Sequence, residues 1–377
     1  MKISILLITL MNCCLAMAQT NQEKTYNLII GTYTNENKSN GIHVFSFNTE
    51  TGKFNEKSKF VDVTNPSYLA ISDDKKNVYS VSEAGQGKST ISAFSFDAKS
   101  GKLTFLNSVS SGGNGPCYVS IDDKKRFVFA GNYGDGSLSA IRIDKDGSLN
   151  ADAQTIKHEG SSVNKSRQDK PHVHSVVLSP DNRYLLTPDL GTDKVNVYRF
   201  DPAKPQPLTP ASPAFATVKP GTGPRHLTFH PNGKFAYLIL EMEGAIAAFD
   251  YNNGKLEEKQ SITMLAPGFG GKVGAADIHI SPDGKFLYGS NRGEANEVVI
   301  YGIGKDGKLT YVGRQAEFIN TPRNFVIDPT GNFLLVANQN ANDVVIFKRD
   351  QKTGLLSSTG EKILVDKPVC LKFDSAE

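Results

Sequence analysis

Five side chains stand out as able to do chemistry together: His174, Arg225, Glu241, Arg292 and Arg323. An imidazole or a carboxylate can take a proton from water or return one to a leaving group. Guanidinium forks suit a carboxylate, a phosphate or an oxyanion as it develops. The five are spread over 150 positions (323 − 174 + 1), so only the fold can assemble them. A competing pattern is His172-Val-His174, which puts two imidazoles on one face of a strand, as a metal site can require. No obvious third His, Asp or Cys accompanies the pair, so neither a metal nor a cofactor is expected.

The elements that must position these residues are strands. Runs of Val, Ile, Phe and Tyr alternate with polar residues between Gly, Asn and Asp turns, and no stretch sustains a helical period. The runs also repeat. Tyr68-Leu-Ala-Ile-Ser, Tyr118-Val-Ser-Ile-Asp, Ser175-Val-Val-Leu-Ser, His226-Leu-Thr-Phe-His, Asp277-Ile-His-Ile-Ser, Asn324-Phe-Val-Ile-Asp and Cys370-Leu-Lys-Phe-Asp are seven copies, spaced by 50, 57, 51, 51, 47 and 46 residues. A period of that size with several strands per copy predicts an all-β, seven-bladed β-propeller with four antiparallel strands, A to D, in each blade. Asn27 to Tyr33 reads as a B strand with no A before it, and Val365 to Phe373 as an A strand with no B after it. Together they would close the ring and leave no long edge exposed.

Strands A and B form a hairpin, so the start of A and the end of B share one edge of the blade. The residues just before each anchor are Ser67, Cys117, His174, Arg225, Ala276, Arg323 and Val369. Fifteen residues past six of the anchors stand Glu83, Tyr133, Leu190, Glu241, Arg292 and Gln339. A purely structural repeat would keep one small or apolar residue at such positions. This chain instead places a base, an acid and three guanidinium groups there, all expected at one mouth of the channel. His174, Glu241, Arg225 and Arg292 are the expected catalytic set. Arg323, with Asn132, Asp189, Asn291 and Asn338 at the ends of B strands, is expected to bind substrate. The bland alternative is that Glu241 and an Arg form an ion pair linking neighbouring blades.

Other features are read more plainly. His226 follows Arg225, points to the other face by strand alternation, and is expected in the core. Pro267 to Gly274 matches no phosphate-loop spacing and reads as a rim loop. Lys157 to Asp169 accounts for the 57-residue spacing and should border the mouth as a lid; its Ser161 and Ser162 lie in no nucleophile motif.

The first eighteen residues read as a cleaved export signal: Lys2, an apolar run from Ile3 to Leu10, and Ala16-Met17-Ala18 before Gln19. A lipid anchor at Cys13 or Cys14 is the rival, disfavoured by Asn12. Removing those residues, one of them basic, from 377 leaves 359 with 41 basic and 39 acidic side chains. A balance so close to neutral argues against nucleic acid or a membrane surface as partner. No later run approaches transmembrane length. Cys117 and Cys370 remain, either as a disulfide or as small buried residues.

His174-Ser-Val-Val-Leu-Ser-Pro-Asp, Gly223-Pro-Arg-His-Leu-Thr-Phe-His-Pro-Asn-Gly233, Ala276-Asp-Ile-His-Ile-Ser-Pro-Asp-Gly284, Ser290-Asn-Arg292 and Asn320-Thr-Pro-Arg-Asn-Phe-Val-Ile-Asp328 resemble the seven-bladed lactonase propellers. That family holds the propeller-type 6-phosphogluconolactonases and the fungal carboxymuconate lactonising enzymes. The resemblance covers nearly all of the chain after the signal and implies an active site at His174, Arg225, Glu241 and Arg292. It implies hydrolysis of a sugar lactone, phosphorylated or not. The export signal, by contrast with a substrate made in the cytoplasm, points to the periplasm or outside the cell, and a monomer or weak oligomer is expected. The alternatives are lactonisation of an unsaturated dicarboxylate and a non-catalytic propeller that binds sugars or a protein.

Overall fold

A computed structural model describes residues 25–34, 41–85 and 87–374. The export signal expected at residues 1–18 lies outside them. The described residues form 28 strands in seven four-stranded antiparallel sheets, and no helix among them is long and apolar enough to cross a membrane. The ring closes as its ends suggest. Pro368–Phe373 pairs with Thr25–Thr32, which pairs in turn with Ile42–Asn48 and Phe54–Phe60.

Burial falls from the axis outward. The B strands Asn77–Ser82, Phe127–Asn132, Tyr184–Asp189, Phe235–Leu240, Phe286–Asn291 and Phe333–Asn338 are buried at every residue, because a neighbouring blade covers each face. Outer strands such as Lys255–Thr263 alternate between the blade and solvent. Blades are tied to one another by a recurring device. The buried hydroxyls of Tyr79, Tyr237 and Tyr288 donate to the carbonyls of Gly147, Gly307 and Gly354, at 2.9, 2.8 and 2.7 Å. Each ring contributes about 1.5–3 kcal/mol by burial, provided its hydroxyl finds such an acceptor.

The departure from simple alternation lies in the A strands. The A–B register shifts between Pro116 and Tyr118, Pro224 and Leu227, Ala275 and Ile278, and Pro322 and Asn324. Each shift is a β-bulge, which leaves an extra residue unpaired and re-aims the side chains beside it. In the blade of His174 the A strand shrinks to Val177–Leu178, with only the bridge Val173↔Asp189 before it. The reason is local. His174 N–H donates to the Pro188 carbonyl at 3.0 Å, and Pro188 has no N–H to return to strand A.

Candidate active site

The bulges put the chemistry where it is. In a regular strand Arg225 and His226 would face opposite ways. Here Arg225 Nη1 lies 3.2 Å from His226 Nε2, and both side chains are buried at the channel. His226 is buried as expected, but the expectation that it faces away from Arg225 is corrected: it lies against that guanidinium, among polar and aromatic side chains. The anchor residues form a second layer beneath the pre-anchor residues. Tyr68 stacks on Tyr118 with ring centroids 4.0 Å apart, and His226 packs edge-on against both.

Glu241 is the hub of the upper layer. Its Oε2 accepts from Arg225 Nε at 3.0 Å and lies 3.3 Å from Arg292 Nη2, while Oε1 accepts from Arg167 Nη2 at 2.8 Å. His174 Nε2 stands 3.8 Å from Oε2. The chain enters this blade through Gly223, whose φ of 70° favours glycine. The Gly223 carbonyl accepts from Glu241 N–H at 2.8 Å, which fixes the backbone beneath the carboxylate.

The charges follow from these contacts. Burial by itself would raise the pKa of Glu241, but Arg292, Arg225 and Arg167 together hold it down to about 2. Burial, and then the charge of Arg225, keep His174 well below the usual imidazole value, so it is neutral at pH 7. Burial and the Arg225 charge also bring Arg292 down to about 9, still cationic at neutral pH.

A second carboxylate occupies the equivalent position of another blade. Glu83 Oε2 accepts from Ser67 Oγ at 2.5 Å and from the Tyr33 hydroxyl at 2.9 Å, with Arg323 Nη2 3.9 Å away. The Arg323 guanidinium also lies over the Tyr33 ring, 5.4 Å from its centroid. The mouth thus holds four guanidiniums (Arg167, Arg225, Arg292 and Arg323) against two carboxylates. Such an excess of cation suits an anion or an oxyanion.

Comparison with known proteins decides the family. A sequence model of the seven-bladed β-propeller lactonases matches residues 27–373. The chain belongs to that family. It is 38% identical over 342 residues to a Formosa agariphila protein named 6-phosphogluconolactonase, covering 90% of this chain and 97% of that one. A Bacillus subtilis protein of the same name is 35% identical, covering 91% and 97%. The solved periplasmic gluconolactonase of Pseudomonas aeruginosa superposes with a TM-score of 0.89 at 38% identity, covering 94% and 100%.

Within this lactonase propeller the expected residues divide. His174, Arg225, Glu241 and Arg292 come together, and Arg323 faces the same mouth beside Glu83. Asn132, Asp189, Asn291 and Asn338 do not present themselves to a substrate. Asn132 donates to the Ser111 carbonyl and to Ser137 Oγ at 3.2 and 3.1 Å. Asp189 accepts from the His172 and Gly191 N–H groups and lies 2.7 Å from His158 Nδ1. Asn291 accepts from Gly274 N–H at 3.2 Å, and Asn338 binds Asn320, Phe318 and Asp343. All four are buried and hold rim loops, because their side chains turn into their own blade while the next residue turns to the channel.

Arg167, Glu83 and Tyr33 were not foreseen. Arg167 lies in the loop expected to border the mouth, and it does so: the loop is clamped by Gln168 Nε2 and Ser162 Oγ on Asp193 Oδ2, at 2.8 and 2.5 Å. The extra length of that repeat was the available signal. Glu83 shares its repeat position with Glu241, and Tyr33 follows the same Gly-x-Tyr ending as Tyr133. His172 stacks on Tyr133, with centroids 4.4 Å apart, and Cys117 and Cys370 are free and buried. Cys117 Sγ lies 3.7 Å from His174 Nδ1. Two cavities, of about 290 Å³ near Tyr68, Tyr118 and Lys372 and about 520 Å³ near Phe318, Asp343 and Lys362, lie elsewhere. Neither gathers imidazole, carboxylate and guanidinium, so the mouth is the better site.

Proposed function

We propose that the protein hydrolyses a sugar lactone to its open-chain hydroxy acid at the Glu241 cluster. The observation that carries this reading is one carboxylate ringed by three guanidiniums beside a neutral imidazole, in a chain of the lactonase family. Glu241, held to about 2, is a weak base, its lone pairs committed to Arg167, Arg225 and Arg292. His174 is neutral and has a ring nitrogen beside the anion. It is therefore assigned as the base that takes a proton from water, with Glu241 stabilising the imidazolium that results.

The water oxygen bonds to the lactone carbonyl carbon, and the carbonyl oxygen becomes an anion that faces Arg225 and Arg292. Collapse of this intermediate breaks the ring C–O bond. The proton held on His174 passes to the departing alkoxide, so atoms and charge balance. Arg323, with Glu83 and Tyr33, lines the opposite side of the mouth and is assigned to substrate hydroxyl or anionic groups. The names of the Formosa and Bacillus relatives favour a phosphorylated aldonolactone; the Pseudomonas structure favours an unphosphorylated one in the periplasm. Together with the export signal expected at residues 1–18, this favours the second assignment. The test is acid release by the purified protein from 6-phosphoglucono-δ-lactone, glucono-δ-lactone and carboxymuconolactone, followed in a pH-stat. Turnover of either gluconolactone above the spontaneous rate supports the reading. Activity on carboxymuconolactone alone would move the site to lactonising chemistry, and none at all would leave a binding propeller.

A further inference from the structure

We propose that Asp277 and His226 form an orienting pair that holds Arg225 in its reactive position. The proposal rests on the assignment of Arg225 above and adds two positioning residues to it. A continuous set of contacts carries it. Arg225 Nε donates to Glu241 Oε2 at 3.0 Å, and Nη1 donates to the Ala276 carbonyl and to His226 Nε2, the latter at 3.2 Å. His226 Nδ1 lies 2.8 Å from Asp277 Oδ1. Asp277 Oδ2 in turn accepts from Asn324 Nδ2 and from Phe325 N–H at 3.2 Å, and lies 2.9 Å from His279 Nε2. Arg225, His226, Asp277 and Asn324 are all buried.

A guanidinium only donates, so the nitrogen that faces Arg225 must accept. That requires His226 to carry its proton on Nδ1, where Asp277 receives it. Asp277 thus fixes the tautomer, and the tautomer fixes the guanidinium. The ring cannot turn away, being packed against Tyr68, Tyr118 and His174 with centroids 5.7, 5.2 and 5.4 Å distant. Nε and Nη1 are committed to this frame, which leaves Nη2 of Arg225 to meet the substrate.

The isosteric change Asp277→Asn separates this role from simple packing. Three donors surround Oδ2, so the amide oxygen of the new residue takes that place and its NH₂ faces His226 Nδ1. The imidazole must then accept at Nδ1 and carry its proton on Nε2, directly opposed to the Arg225 N–H. A wrong tautomer of this kind is severely costly to catalysis in the Ser-His-Asp enzymes, where the equivalent exchange is a known example.

The experiment measures kcat, KM and thermal midpoint on glucono-δ-lactone for wild type, Asp277→Asn, His226→Leu and His226→Gln. Asp277→Asn and His226→Leu should lose about 100-fold or more in kcat, with KM changed by less than about threefold. His226→Gln keeps an acceptor for Arg225 and should stay within about tenfold of wild type. A packing role alone would make Asp277→Asn the mildest of the three, and that ranking overturns the proposal. Nitrogen-15 histidine NMR of the wild-type protein gives a reading that needs no variant to fold stably. A protonated Nδ1 and an unprotonated Nε2 on His226 between pH 5 and 8 are expected; the opposite tautomer overturns the proposal. A wild-type protein inert toward every lactone would instead remove the functional reading on which it rests.

Discussion

Glu83 and Glu241 occupy the same position in two blades, fifteen residues past Tyr68 and His226. The scaffold treats them alike, carrying each to the channel at the end of a B strand. Their partners differ. Glu83 accepts from a serine and a tyrosine hydroxyl, with one guanidinium 3.9 Å away. Glu241 meets three guanidiniums and an imidazole. The comparison teaches that the repeat supplies the location, whereas neighbouring blades and one inserted loop supply the chemistry. Arg225 comes from the same blade as Glu241, Arg292 from the next, and His174 with Arg167 from the one before.

That contrast can be broken from either side. The largest effect should follow from Arg225→Ala, which removes a donor from the developing oxyanion and a buried partner from Glu241. kcat on the preferred lactone should fall by about 10²–10³, measured by pH-stat with the fold checked by circular dichroism. Arg323→Ala acts on the Glu83 side and should raise KM by about tenfold while kcat changes little, since it removes binding common to ground and transition states. Arg167→Ala should be milder again. Arg167 is 44% exposed against 2% for Arg225, and solvent screens its pairing with Glu241. A change in kcat/KM of less than about tenfold is expected from steady-state kinetics.

Acid should destabilise the Glu241 side in a defined window. His226 is held at about 3, by burial first and the Arg225 charge second, against 6.5 for an ordinary imidazole. His174 is shifted in the same direction. Both lie below their unfolded values, so the unfolded chain binds more protons and stability falls as pH drops below 6.5. Glu241 adds a further loss between about 4.5 and about 2. Urea unfolding at pH 7 and pH 5 should differ by on the order of 2 kcal/mol through His226, with His174 adding in the same direction, and His226→Gln should remove the first contribution. The smallest effect on chemistry is expected from Asn338→Ala. It should cost about 1–3 kcal/mol of stability through the lost loop contacts and leave kcat within about twofold.

The repeat period and the turn chemistry made the blades and the ring closure legible in the sequence. The residues before each anchor and at the ends of B strands pointed to His174, Arg225, Glu241 and Arg292, which the structure brings together. Asn132, Asp189, Asn291 and Asn338 were misplaced by one residue, because strand alternation turns them into the blade to hold its loops. His226 and Asp277 were hidden for the opposite reason: bulges suspend alternation in the A strands, and a bulge has no sequence mark here. Arg167 sits in a loop whose length was visible but whose path depends on contacts with Asp193, 26 residues away (193 − 167).

The most direct test of the contrast is to compare Glu241→Gln with Glu83→Gln on the same lactone. Both changes are isosteric and remove one charge from the same mouth. The account predicts that Glu241→Gln lowers kcat by about 10² or more while Glu83→Gln stays within about tenfold of wild type. Equal losses, or a greater loss for Glu83→Gln, would contradict it.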